Sequence, residues 1–314
     1  MENIKVVNVN DVDYAVEDTT SRQMNNRLYE GIDLAQKHAG EISGYSSVWA
    51  WIQARLRAGN FEDINVGDYI QFTAGGNIVI AEVAGINTYK DYGDVPVPNH
   101  IDFISRDCWP ETRQWNKVNY NNGIATMTTP FLASDIYHWL NGLQGQVPND
   151  ATVAMTQNPT PASSLASVDY RATGLLPQLP AALRAAIIQK RELMPRRYAA
   201  DLLLTDNNRW NRRDMGFLWL PDEMEIYGSG VWGGTTAPLQ GYDKLGAVQY
   251  PLFAGNIHKR VKGAGNGGAR SSWWLSNPMS GRSTYVALVF GDGHAAATVA
   301  SRTTYRIPVC FRIA

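Results

Sequence analysis

The glycines of Gly263-Ala264-Gly265-Asn266-Gly267-Gly268 stand at the spacing G-x-G-x-x-G, with which a tight turn brings backbone N–H groups against a dinucleotide pyrophosphate. That chemistry needs a buried strand before the turn and a helix after it. Ile257-His258-Lys259-Arg260-Val261-Lys262 is too charged for the first, and Ser271-Ser272-Trp273-Trp274 has the character of a strand, so the segment reads as a flexible loop. Asp222, Glu223 and Glu225 offer carboxylates for general acid and base work. Pro221-Asp222-Glu223 is also what the positive end of a helix dipole attracts, and the helix cap is the preferred reading. His38, His100, His138, His258 and His294 form no i,i+4 pair and adjoin no cysteine cluster, which assigns them surface or structural roles. No G-x-S-x-G nucleophile elbow occurs. Cys108 and Cys310 can build neither a disulfide framework nor a four-thiolate zinc site and read as buried apolar groups. No catalytic residue, metal or cofactor is expected.

Recognition by stacking and hydrogen bonding is the chemistry that the C-terminal segment could support. Ser272-Trp273-Trp274-Leu275-Ser276, Tyr285 to Phe290 and Tyr305 to Ile313 read as apolar strands. Between them lie Ser280 to Tyr285, Gly291 to His294 and Thr298 to Thr304, which are small, polar or charged. Loops on rigid strands are the usual geometry of a binding site, and they are equally the usual geometry of solvated connections. The candidate ligand-binding residues are Trp274, Arg282, Ser283, Tyr285, Asp292, His294 and Arg302, whose side chains can stack or hydrogen-bond. Because Trp273 and Trp274 are adjacent, a strand would turn one ring to the core and the other to the opposite side.

Composition agrees with contacts to sugars or proteins. Charged residues make up 18% of the 314-residue chain, against roughly 25% in soluble domains, while Trp numbers 10 and Tyr 15. A net charge of -1 argues against a general nucleic-acid binder, and Arg209, Arg212 and Arg213 read as a local solvated turn. No apolar run is long enough for a membrane span and the first residues lack a signal-peptide block, so synthesis in a cytoplasm is expected, with release by another route such as lysis.

The elements that must position these groups begin with a hairpin over Ile4 to Val16, turning at Asn10-Asp11. Asp18 can cap a helix in which Met24, Leu28, Ile32, Ala35 and Ala39 form a narrow stripe closed by Gly40; it suits a coiled-coil seam and a helix packed on its own domain equally. A helix is expected over Ser46 to Ala58, a hairpin about Thr73 to Asn77, a strand at His100 to Ile104, and a helix from Ser134 to Asn141. Gln144 to Ser167 reads as a long surface loop. Further on, the pattern predicts a helix from Pro180 with Leu183, Ile187 and Ile188 inward, a buried strand at Gly216 to Pro221, and a helical turn from Pro221.

The order of these pieces resembles a family of phage and prophage proteins whose C-terminal domain has a C-type-lectin-like fold of the formylglycine-generating-enzyme type. The landmarks are Gly67-Asp68-Tyr69-Ile70, His100 to Ile104, the S-x-I-x-x-W-L-N helix at Ser134 to Asn141, Leu179-Pro180, and Phe217 to Met224. Trp273-Trp274-Leu275-Ser276, Gly291-Asp292-Gly293 and Arg306-Ile307-Pro308-Val309-Cys310-Phe311 complete them. The opening Val7 to Arg22 resembles the start of phage fibre and decoration proteins. The resemblance implies an α+β fold, with residues 1–59 a hairpin-and-helix unit for virion attachment and oligomerisation and residues 60–314 a lectin-like ligand-binding domain. It further implies a homo-oligomer, a trimer by preference, on the virion surface. Virion proteins would be its partners through the N-terminus, and a host-surface or environmental glycan or protein through the C-terminal loops. Some relatives of this fold are variable proteins of diversity-generating retroelements. Oxidase activity is not implied, because Cys108 and Cys310 do not match the enzymes' cysteine pair. Calcium-dependent sugar binding is not implied either, since the E-P-N and W-N-D signatures are absent. The alternative is a purely structural decoration protein.

Overall fold

Side-chain caps and turn residues set where the elements begin and end. The computed structural model describes residues 6–9, 12–15, 31–90, 93–150, 160–195, 210–233, 248–265 and 267–314. Strands β1 (Val6–Val9) and β2 (Val12–Ala15) pair as the expected hairpin. The single helical turns α1 (Leu34–Lys37) and α2 (Ala39–Ile42) lead to α3 (Val48–Arg57), which starts where the Ser47 hydroxyl accepts the Ala50 N–H. Strands β3 (Tyr69–Ala74) and β4 (Asn77–Ile86) are joined by Gly75-Gly76, both at positive φ, as a two-residue hairpin turn requires. Next come β5 (Ile101–Cys108), α4 (Asp135–Asn141), β6 (Gln144–Pro148), β7 (Leu165–Asp169), α5 (Leu175–Gln178) and α6 (Ala181–Ala186). They are followed by β8 (Ile187–Ile188), β9 (Arg191–Pro195), β10 (Trp210–Asp214), α7 (Glu223–Tyr227) and α8 (Pro251–Gly255). The last strands are β11 (Lys262–Gly263), β12 (Arg270–Ser271), β13 (Trp273–Pro278), β14 (Tyr285–Val289), β15 (Ala295–Val299) and β16 (Pro308–Ile313).

The architecture is α+β with antiparallel sheets. A five-stranded sheet has the order β3-β4-β5-β16-β8, so the last strand of the described chain enters between early and middle ones. A three-stranded sheet, β13-β14-β15, carries most of the C-terminal candidates. Trp49 of α3 lies with its ring 5.6 Å from Phe72, 6.2 Å from Phe103 and 5.8 Å from Phe311, all edge-on, and so pins the helix to the larger sheet. Leu34, Trp49, Trp51, Ile52 and Leu56 belong to the same core as the strands after residue 60, so the core runs unbroken across the expected boundary at 59. Among the described residues no helix is long and apolar enough to cross a membrane.

Several expectations change. Met24 and Leu28 lie outside the described residues; after them, Leu34 and His38 are the buried positions rather than Ala35 and Ala39, because Asp33 caps the turn and sets its phase. Gly40 lies within α2 instead of closing a helix. The ends of the expected loop from Gln144 to Ser167 pair as β6 and β7, their neck closed by Asp150, which accepts from Ser163 and Ser164. Five-residue strands that bury only Val147, Pro148 and Val168 are too short to show the apolar alternation that marks a strand in sequence. Leu183 is buried in α6 as expected, but Ile187 and Ile188 leave the helix and pair with Ile313 and Arg312 of β16. Arg212 and Arg213 lie in strand β10, paired with β9, and not in a turn.

Candidate functional site

The three-stranded sheet has two ends, and they divide the candidate residues. At one end Tyr285 pairs with Val299, and the Thr284 carbonyl accepts the Ala300 N–H at 2.9 Å. Arg282 lies two residues before Thr284 and Arg302 two after Ala300, and the Arg302 N–H donates to the Val299 carbonyl at 3.1 Å, so the chain turns as it leaves β15. One segment holds both stretches. Asn119 Oδ1 accepts the Ser301 N–H at 3.3 Å and contacts the Ser301 hydroxyl, while the Asn121 N–H donates to the Ser283 carbonyl at 2.8 Å. Asn121 Nδ2 also donates to the Arg282 carbonyl at 2.8 Å and to the Tyr285 carbonyl. From outside, Gln114 Nε2 donates to the Ser301 carbonyl at 2.7 Å. The backbone beneath Arg282, Tyr285 and Arg302 is therefore fixed from several directions.

On that frame the Arg282 guanidinium lies 5.0 Å from the centre of the half-buried Tyr285 ring. Arg302 is exposed, and its guanidinium makes no hydrogen bond or ion pair with the described residues. Asp292 and His294 sit at the opposite end, in the turn between β14 and β15. At about 3.4 Å per residue, a strand of this length keeps the two ends more than about 10 Å apart. There the His294 backbone N–H donates to Asp292 at 3.2 Å and, with the His294 ring, holds the exposed Asp292 carboxyl below its ordinary range. The His294 ring also packs on exposed Phe290 at 5.0 Å.

Two candidates are not surface groups, which corrects their selection. All six residues of β13 are buried, so Trp273 and Trp274 both lie inside although they point to opposite faces. Each indole is satisfied internally: Trp274 donates to the Arg113 carbonyl at 2.7 Å and Trp273 to the Arg260 carbonyl at 3.0 Å. The alternation holds, but this strand is covered on both sides. Ser283 is also buried, with an unpartnered hydroxyl. Conversely, the anchoring roles of Asn119 and Asn121 were not among the sequence expectations. The signal was the Asn-rich run Asn119 to Asn122, since asparagine side chains readily bond to backbone groups.

The acidic residues Asp222, Glu223 and Glu225 form the expected cap, with Asp222 accepting from the Glu225 N–H and Glu225 from the Asp222 N–H. They are also buried, and Glu223 accepts from the backbone N–H groups of Val231, Trp232 and Gly233. Glu192, Asp222 and Glu225 lie close enough to share a cation, and the ammonium of Lys190 occupies that role, 2.7 Å from Glu192 and in contact with Glu225. Burial opposes the charge of Lys190, but Glu192 and Glu225 outweigh it and raise its pKa. Burial, then the charge of Glu225, pushes Glu192 well above the ordinary carboxylate range. The surrounding rings of Tyr89, Trp219 and Tyr250 exclude water and complete a structural cluster.

A cleft of about 430 Å³ opens beside the β3–β4 turn, with Val79, Cys108, Trp109 and Val309 among its lining. Burial raises the Cys108 thiol to about 12, so it stays protonated at neutral pH and is no nucleophile. Cys310 is buried and free as well. The loop of the G-x-G-x-x-G spacing joins β11 to β12, and no helix follows it to receive a pyrophosphate. Among the histidines, His100 is buried, accepts the Tyr89 N–H at 3.2 Å and lies 2.8 Å from the Pro98 carbonyl, which is a structural role.

No family model, curated protein or solved structure matches the chain.

Proposed function

We propose that this chain is a phage virion-surface protein whose C-type-lectin-like head binds a host-surface or environmental carbohydrate or protein. The observation that carries the reading is the firmly braced end of the three-stranded sheet. Arg282, Tyr285 and Arg302 present stacking and charged groups from a backbone held by Asn119, Asn121 and Gln114. A binder gains from such pre-organisation, because little conformational entropy remains to be lost on contact. The lectin-like assignment is supported by the way its sequence landmarks converge. Ile70, His100 to Ile104, Trp139, Leu218 to Leu220, Trp273 to Leu275, Ile307 and Val309 to Phe311 all supply buried residues. The N-terminal segment attaches a homo-oligomer, a trimer by preference, to the particle, and several weak contacts then add through avidity.

The test is adsorption of particles carrying Arg282→Ala, Tyr285→Ala and Arg302→Ala together. Normal particle yield with adsorption reduced about tenfold or more is the expected result, on the scale of losing one or two charged or stacking contacts. Unchanged adsorption with normal assembly would replace this reading with that of a structural decoration protein.

A further inference from the structure

A sheet edge presents unpaired backbone N–H and C=O groups, and proteins ordinarily cover such edges, shorten them, or set charges, prolines or bulges along them. Three edges of the two larger sheets follow that rule. The edge at β3 is met where the Tyr69 N–H donates to the Ile32 carbonyl at 3.0 Å, and the edge strand β8 is only two residues long. On the outer side of β13 the Trp274 N–H donates to the Arg306 carbonyl and the Ser276 N–H to the Pro221 carbonyl, each at 3.0 Å. The edge at β15 is different. Ala295-Ala296-Ala297-Thr298-Val299 holds no charge and no proline, its ladder with β14 runs without a bulge, and no other strand of the described residues pairs with it.

The register shows which backbone groups face outward. The Phe290 N–H donates to the His294 carbonyl and the Ala300 N–H to the Thr284 carbonyl, each at 2.9 Å. Bonded positions alternate along an antiparallel ladder, so Ala296 and Thr298 bond to β14, and Ala295, Ala297 and Val299 turn their N–H and C=O groups to the open edge. Among the described residues only one of these groups has a partner: the Val299 carbonyl accepts the Arg302 N–H at 3.1 Å.

We infer that two copies of this chain join at β15, antiparallel and centred on Ala297, so that the sheet β13-β14-β15 continues into that of the second copy. With Ala297 opposite its own counterpart, Ala295 faces Val299 of the second copy, and every outward-facing residue meets another. A shift of one residue sets groups already bonded to β14 against outward ones, and a shift of two leaves an outward residue unmatched. Charge selects a second copy over a foreign strand. Asp292 and Arg302 are the only formally charged residues from Gly291 to Arg302, both are exposed, and they stand equally far from Ala297 on opposite sides. The antiparallel alignment therefore brings the turn bearing Asp292 of one copy to the end where Arg302 of the other leaves β15, once at each end of the contact. It also brings together candidate residues that a single chain keeps apart, because Asp292 and His294 of one copy come beside Arg302 of the other. The joining itself requires no ligand.

The experiment follows the mass of the full chain in solution by sedimentation. Ala297→Pro removes an outward N–H and no bond to β14, so it should halve the mass while the circular-dichroism spectrum stays that of the parent. Arg302→Asp sets like charges together at both ends and should weaken association about tenfold, and adding Asp292→Arg should restore it. This charge exchange decides the matter if the proline variant does not fold. A parent chain with the same mass as folded Ala297→Pro overturns the inference, as does association unchanged in both Ala297→Pro and Arg302→Asp. Failure of the charge exchange to restore association overturns it too. Particle adsorption tests the binding head separately, and a halved mass in Ala297→Pro stands whether or not adsorption falls.

Discussion

Arg312 and Arg302 lie in the same C-terminal segment and meet opposite treatment. Arg312, in β16, is buried and makes a two-pronged contact with Asp102 of β5, Nε to Oδ1 at 2.7 Å and Nη2 to Oδ2 at 2.8 Å. The Tyr250 hydroxyl donates to the same carboxylate at 3.1 Å, and the Arg312 guanidinium lies 5.1 Å from the centre of the Tyr89 ring. Burial opposes the charge of Asp102, but Arg312 outweighs it and holds the carboxyl below its ordinary range. Arg302, on the chain leaving β15, is exposed and has no such partner among the described residues. The first region commits its charges to joining strands; the second leaves that of Arg302 available. Charge content alone does not separate a structural arginine from an exposed one, whereas burial and pairing do.

The largest effect expected from breaking this contrast is in the buried pair. Asp102→Ala strands Arg312 in the core and should cost about 3–5 kcal/mol in urea unfolding. A loss below about 1 kcal/mol would mean that the pair is not the structural element described. Lys190→Met should cost slightly less, about 3 kcal/mol at pH 7, because Glu192 and Glu225 then face each other without a cation. With the pKa of Glu192 raised in the fold above its unfolded value, that cost is present above the unfolded carboxylate range and shrinks as pH falls and the carboxyl takes up a proton. A variant equally destabilised at pH 4.5 and pH 7 would contradict the account.

His100 gives a smaller, pH-dependent effect. Burial lowers its pKa in the fold, with Asp102 opposing. The unfolded chain therefore binds more protons below 6.5, and stability should rise with pH through that window by up to about 1.4 kcal/mol per pH unit. His100→Gln should flatten that rise, as read from chemical unfolding at several pH values. Smallest of all is Arg302→Ala, expected within about 0.5 kcal/mol of the parent in stability. A large loss there would show that Arg302 is structural, and would erase the contrast with Arg312.

Much of the local structure was legible because its causes are local. The Gly75-Gly76 hairpin, the Ser47 and Ser134 caps and the Asp222 cap each depend on residues within a few positions. The β6–β7 ribbon escaped because its strands are short and bury little beyond Val147 and Val168, and β8 because Ile187 and Ile188 continue the apolar spacing of α6 into a strand. Of the candidate face, the residue types at Arg282, Tyr285 and Arg302 were readable. Their separation from Asp292 and His294 depends on which ends of β14 and β15 meet. The burial of Trp274 depends on the Arg113 carbonyl and Tyr305 packing against it, the latter with its ring centre 5.1 Å away.

By itself, the sequence determined the hairpin turns, the helix caps and the aromatic residues available for a core, since capping, turn conformation and apolar content act over neighbouring positions. Only the tertiary structure decided which charges are paired and which side chains face outward. Asp102 meets Arg312, Lys190 meets Glu225, and Asn119 meets Ser301 across long stretches of chain. Exposure at β13 was settled in the same way. A strand's alternation sets the two directions in which its side chains point, but the layers packed on each side determine whether either direction reaches water.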